Sequence, residues 1–173
     1  PRQDRLYPTA VKRLKPNWAT MCKEDPELTD LVSDADLYDF LVECRALLRG
    51  YFEMENPQGF DAHECEMYVD TVLPNGVPVR GFIDRVDIAP TGQVRVVDYK
   101  TGKKPKPQWS QQAQFQMRFY ALVYWRLFDV VPTQLRLMYL KVIDSMFLTP
   151  STEELEFFER DLGDLWAKIE GDG

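Results

Sequence analysis

The sequence predicts an α/β fold: a mixed β-sheet, made of an antiparallel meander plus further strands, with α-helices packed against it. Three observations carry this reading. Two turn signals, Pro74-Asn75-Gly76 and Pro90-Thr91-Gly92, divide the middle of the chain into three short runs of alternating polarity. Runs with apolar residues every three or four positions lie before and after them. A Ser151-Thr152-Glu153-Glu154 pattern then opens a last helical run.

In chain order, residues 1–30 have weak periodicity and several prolines, and they read as irregular with a short helix around Trp18. Ser33 or Asp34 is placed to cap a helix whose apolar positions are Leu37, Phe40, Leu41, Cys44, Leu47, Leu48 and Tyr51. Asn56-Pro57-Gln58-Gly59 ends it. Strands are expected over 64–73, 77–88 and 94–100, and a lysine-rich loop over 101–108. A helix over 110–128 is expected to be broken by Pro132. Strands over 133–143 and 145–149 and a helix over 151–169 complete the order α-β-β-β-α-β-β-α.

A length of 173 residues suits one domain with a proper core. The 45% apolar and 28% charged content is that of a soluble globular chain. No apolar run reaches the roughly 18 residues a membrane span needs, and residues 1–15 are too polar for a signal peptide. Both ends, Pro1 and Glu170-Gly171-Asp172-Gly173, are expected to be cut from a longer protein. Cys22, Cys44 and Cys65 form no C-x-x-C pair, so buried thiols in a reducing cytoplasm are expected. A net charge of −7 argues mildly against nucleic acid as a partner. Lys100, Lys103, Lys104 and Lys106 nevertheless form a local basic rim.

The chemistry concentrates in Gly81-Phe82-Ile83-Asp84-Arg85-Val86-Asp87 and Val96-Val97-Asp98-Tyr99-Lys100-Thr101-Gly102. With a turn centred near Thr91, Asp84 and Asp98 face each other across a hairpin, and Lys100 projects from the same face two residues on. Facing carboxylates repel, and a divalent cation with oxygen ligands, Mg²⁺ or Mn²⁺, is the simplest reason for them. Lys100 would orient or help deprotonate a water, or offset charge on a phosphate. Surface charges on an exposed strand face are the plain alternative, since a bare D-x-K is common. Glu66 is a lesser candidate. A two-residue Asn75-Gly76 turn would set it against Arg85 as a cross-strand ion pair.

Gly81-x-x-Asp84, then Asp98-Tyr99-Lys100-Thr101-Gly102, then a helix bearing Gln116-x-x-x-Tyr120, resembles the RecB-family branch of the PD-(D/E)XK nuclease superfamily. The branch includes RecB-like and CRISPR-adaptation exonucleases. The match is good over roughly 64–124. The resemblance implies a restriction-endonuclease-like core, centred on 60–128 within a single domain spanning 1–173. It implies Asp84 and Asp98 as metal-binding acids, the Tyr99 backbone carbonyl as an extra metal ligand, and Lys100 as the catalytic lysine. Gln116 and Tyr120, with Gln112 one turn earlier, would approach DNA, alongside Lys103 and Lys104. Trp109 would be the best aromatic to stack on a base.

The implied activity is hydrolysis of DNA at single-stranded ends, with water displacing the 3′ oxygen, in repair or recombination beside a helicase or another repair-complex partner. The sequence departs from the branch in two ways. No upstream helix carries its histidine ligand, and His63, the only histidine, precedes a strand. The cysteines of an iron–sulfur cluster are also absent, so such a cluster would belong only to a longer protein. The rival reading is a nuclease-fold module that binds nucleic acid or a protein partner without cutting.

Overall fold

The computed structural model describes residues 1–171, and Asp172 and Gly173 at the end of the terminal tetrapeptide lie outside the described residues. The chain divides into two compact units. One holds residues 1–61, 101–103 and 139–144; the other holds 62–100, 104–138 and the chain from 145 onward.

The first unit is helical: α1 (Tyr7–Glu24), the short α2 (Leu28–Leu31) and α3 (Leu37–Met54). The long α1 corrects the expectation of an irregular start. Pro8 stands in its first turn, where no N–H donor is required. Pro16 lies inside the helix and removes a backbone bond, a change that costs about 3 kcal/mol in isolation. Packing offsets it: Tyr7, Ala10, Leu14, Trp18 and Cys22 form a half-buried stripe. Trp18 meets Phe40 of α3 at 4.8 Å between ring centroids, and Tyr7 meets Phe52 at 5.9 Å. The cap position of α3 belongs to Asp36 and not to Ser33 or Asp34. The Ser33 hydroxyl instead accepts the Asp36 N–H at 3.3 Å, closing the turn that leads in. Gly50 of α3 is buried against the Leu140 carbonyl, where a Cβ would collide with backbone.

The second unit carries the sheet, in the order β1 (Glu64–Val72), β2 (Pro78–Ile88), β3 (Val94–Lys100), β4 (Gln134–Tyr139) and β5 (Asp144–Leu148). β1, β2 and β3 form the expected antiparallel meander. The first turn holds three residues, not two. Leu73 N–H bonds the Val77 carbonyl at 2.9 Å, and Gly76 takes a φ of 88°, which a side chain would oppose. Facing residues therefore sum to 150: Cys65, not Glu66, pairs with Arg85. The expected Glu66–Arg85 register is thus off by one.

At the start of β4, the Thr133 N–H bonds the Val94 carbonyl at the start of β3 at 2.8 Å. Their beginnings meet, so the two strands run parallel, and α4 (Gln111–Phe128) makes the crossover such a pair needs. The sheet is mixed, as expected. α4 ends at Asp129, whose left-handed φ of 56° stops it before Pro132 can. α5 (Thr152–Gly171) begins with the predicted cap, Ser151 Oγ accepting the Glu154 N–H at 3.1 Å. Phe115 packs on Phe158, and Arg118 and Arg126 of α4 bind Glu154 and Glu159 of α5. Ile83, Val86, Val97, Leu122, Met138 and Leu155 are essentially inaccessible. Each such side chain contributes roughly 1.5–3 kcal/mol of burial.

Candidate active site

The β2–β3 pairing sets Arg85 opposite Val97 and Val86 opposite Val96. Strand alternation then puts Asp84, Asp98 and Lys100 on one face. Asp84 is half-buried at the point where β2 reaches the end of β3, and its Oδ2 accepts the Tyr99 backbone N–H at 2.8 Å. Asp98 is only 8% exposed, and its Oδ2 lies 2.7 Å from the Lys100 ammonium. Burial pushes the Asp98 carboxyl above its ordinary range. Lys100 opposes that rise, and the charge of Asp84 adds to it.

α4 closes the site from one side. Gln116 donates to Asp98 Oδ1 at 3.4 Å, a long bond. The Tyr120 hydroxyl is pushed up by burial, lowered in part by its bond with Gln116, and raised further by the charges of Asp98 and Asp84. The i, i+4 pair thus converges on the carboxylates. Gln112 is exposed on the first turn of the same helix. Trp109 is 73% exposed in the 3₁₀ turn before it.

The lysine-rich loop is less uniform than its composition suggests. Lys103 and Lys106 are exposed. Lys104 is half-buried, and its Nζ donates to the Ser145 carbonyl at 3.1 Å, fastening the loop to β5. Glu66 is exposed and sits in β1 with a left-handed φ of 50°. Among the described residues, no three or more His, Cys, Asp or Glu side chains gather as a metal cluster. Glu66 and His63 therefore do not join the two aspartates, and the side chains able to hold a cation there are Asp84 and Asp98.

These two suit a hard cation. Both offer oxygen donors, and the buried Asp98 is an acid that burial discourages from ionising without positive charge nearby. Two carboxylates leave most positions of an octahedral ion to water or substrate oxygen.

A second polar group on the opposite face escaped the reading of the sequence. Arg85, 3% exposed, donates to the Tyr99 hydroxyl at 2.6 Å and to Asp87 Oδ2 at 3.1 Å. Arg95 donates to the same Asp87 oxygen through Nε at 3.0 Å and Nη2 at 2.8 Å. Tyr99 therefore serves both faces: its amide holds Asp84 and its ring hydroxyl holds Arg85. The signal was available, because 85, 87, 95 and 99 alternate with 84 and 98 along the same two strands.

The model of the PD-(D/E)XK nuclease superfamily matches residues 10–172. No curated protein matches the chain.

Proposed function

Because the chain belongs to the PD-(D/E)XK nuclease superfamily, a family of metal-dependent nucleases, we propose that it hydrolyses phosphodiester bonds of DNA at Asp84, Asp98 and Lys100. The observation that carries this is the facing pair of carboxylates with a lysine ammonium 2.7 Å from the more buried one. Asp84 and Asp98 would hold Mg²⁺ or Mn²⁺, with the Tyr99 carbonyl as a further ligand. The bound ion supplies Lewis acidity toward a phosphoryl oxygen and toward the attacking water.

The chain's own residues divide the remaining work. Lys100 orients the water or offsets charge building on the phosphate. Asp98 and Asp84 accept the positive charge of the ion and fix its place. Gln116, bonded to Asp98, and Tyr120 hold that acid and meet the substrate strand, and Gln112 extends their face. Lys103 and Lys106 attract phosphate. Water attacks phosphorus, the bond to the 3′ oxygen breaks, and the leaving oxygen takes up a proton. The finer parts of the proposal are a RecB-like exonuclease habit at single-stranded ends and a role in cytoplasmic repair or recombination beside a helicase. The D-Y-K-T-G and Q-x-x-x-Y motifs support the branch. Cysteines that are all free suit a reducing compartment. Among the described residues, no helix is long and apolar enough to cross a membrane.

One observation favours the rival, non-cutting module: among the described residues, no third His, Cys, Asp or Glu side chain gathers with Asp84 and Asp98. Incubation of a labelled single-stranded oligonucleotide with Mg²⁺, with binding measured in Ca²⁺, separates the two. Binding with cleavage supports the nuclease, and tight binding without cleavage supports the module.

A further inference from the structure

The sheet face that bears Asp84 continues along β2 toward an exposed aromatic pair. β2 keeps its register through 78–88, so Arg80, Phe82 and Asp84 project from one side. Phe82 faces Tyr68 of β1, and the two rings lie 5.1 Å apart at 51°. Both sit in the middle of paired strands, beside the buried Ile83 and Val69, yet Phe82 is 58% and Tyr68 54% exposed. Aromatic rings are the largest apolar groups a sheet can bury, so two left open together next to a candidate site call for a ligand.

The surroundings narrow its chemistry. The Tyr68 hydroxyl donates to Asp70 Oδ2 at 2.9 Å, which fixes the ring before anything binds. Asp70 in turn faces Arg80 across the strands. The rim pairs Asp70 with Arg80 at one end and carries the acids Asp84 and Glu66, two residues from Phe82 and Tyr68, at the other. Such a rim does not select phosphate, but an open pair of rings within it suits a flat, uncharged group.

The geometry points to Tyr68 and Phe82 as a stacking subsite for an unpaired base of the substrate strand. The subsite lies about 7 Å, two residues of β2, from Asp84. This rests on the nuclease reading above and gives it a specificity: a base inside a duplex has no free face to offer, so the subsite admits single strands. Stacking on an aromatic side chain tolerates any base, because each has a π-face.

The test uses Phe82→Trp, which keeps a stacking ring and makes it fluorescent, with Phe82→Ala, Phe82→Leu and Tyr68→Ala beside it. All change exposed side chains, and thermal melting of each checks the fold. Oligothymidylate is titrated in Ca²⁺, reading anisotropy of the labelled strand and tryptophan emission. Cleavage in Mg²⁺ by the unmodified chain is followed separately. The expected result is quenching in Phe82→Trp beyond that of the unmodified chain, saturating with the anisotropy and absent with blunt duplex. Both alanine variants and Phe82→Leu should bind the single strand about tenfold more weakly, while Phe82→Trp binds normally. Normal binding by the alanine variants without added quenching in Phe82→Trp overturns the subsite and leaves the nuclease reading standing. Self-association that Phe82→Ala abolishes, at unchanged DNA affinity, also overturns it and assigns the face to a second copy. Neither binding nor cleavage by the unmodified chain overturns both readings.

Discussion

The carboxylate of Asp84 accepts the backbone N–H of Tyr99 at 2.8 Å, so the acid on β2 is tied to the strand that carries Asp98 and Lys100. Asp84→Asn keeps an oxygen that can accept this bond but loses the charge, whereas Asp84→Ala loses both. In denaturant unfolding without metal, the alanine variant should be about 1–2 kcal/mol less stable than the asparagine variant. Calorimetric titration with Mn²⁺ should show weakened binding in both.

Asp98 gives the metal-free chain a distinctive pH response. Its folded carboxyl titrates above the ordinary value, chiefly because it is buried. The stability it contributes is thus fully present below the unfolded pKa near 3.8 and is lost as pH rises through the higher folded value. Measured against Asp98→Asn, the unmodified chain should lose denaturation midpoint as pH rises from about 3.8 through that folded value. Mn²⁺ affinity should climb over the same window, because the ion needs the ionised acid.

The loop lysines should not behave alike. Neutralising Lys103 or Lys106, both exposed, should weaken DNA binding and reduce its salt slope by about 0.7 per lost contact to a single strand. Lys104→Met should alter the salt slope less and lower stability more, because its ammonium is bonded to the Ser145 carbonyl. Anisotropy at several salt concentrations, with thermal melting of each variant, distinguishes the two roles.

Gly50→Ala should destabilise the chain by about 1–3 kcal/mol, the range for overpacking. The added methyl would meet the Leu140 carbonyl, and a backbone atom cannot swing aside as a side-chain tip can. Thermal or denaturant unfolding of this variant, with Gly102→Ala in open space as the control, checks it.

The parts of this account visible in the sequence are those set by short-range chemistry. The turn at Pro90-Thr91-Gly92 fixes the β2–β3 register, and alternation then brings Asp84 and Asp98 to one face. The Ser151 cap was legible because its partner, Glu154, lies three residues away. The β1 register was misjudged by one residue, because Pro74 joins the turn in addition to Asn75 and Gly76. The long α1 was hidden by Pro16, whose cost is offset only by contacts with α3 that no local window contains. The bond that fastens Lys104 to β5 is not legible in any local window, because its carbonyl partner, Ser145, is 41 residues distant. The alternation of Arg85, Asp87 and Arg95 is visible in the sequence, but their shared bond to one Asp87 oxygen depends on the β2–β3 pairing and on side-chain reach.

The measurement that bears most directly on the central claim is single-turnover cleavage of a labelled single-stranded oligonucleotide in Mg²⁺, at saturating protein, for the unmodified chain and Lys100→Ala. Binding of the same strand in Ca²⁺ is measured alongside. Lys100 is placed to act on the transition state, so the account predicts a rate loss of roughly 10²–10³-fold in the variant with near-normal binding. Cleavage by Lys100→Ala as fast as by the unmodified chain would contradict the assignment of the site.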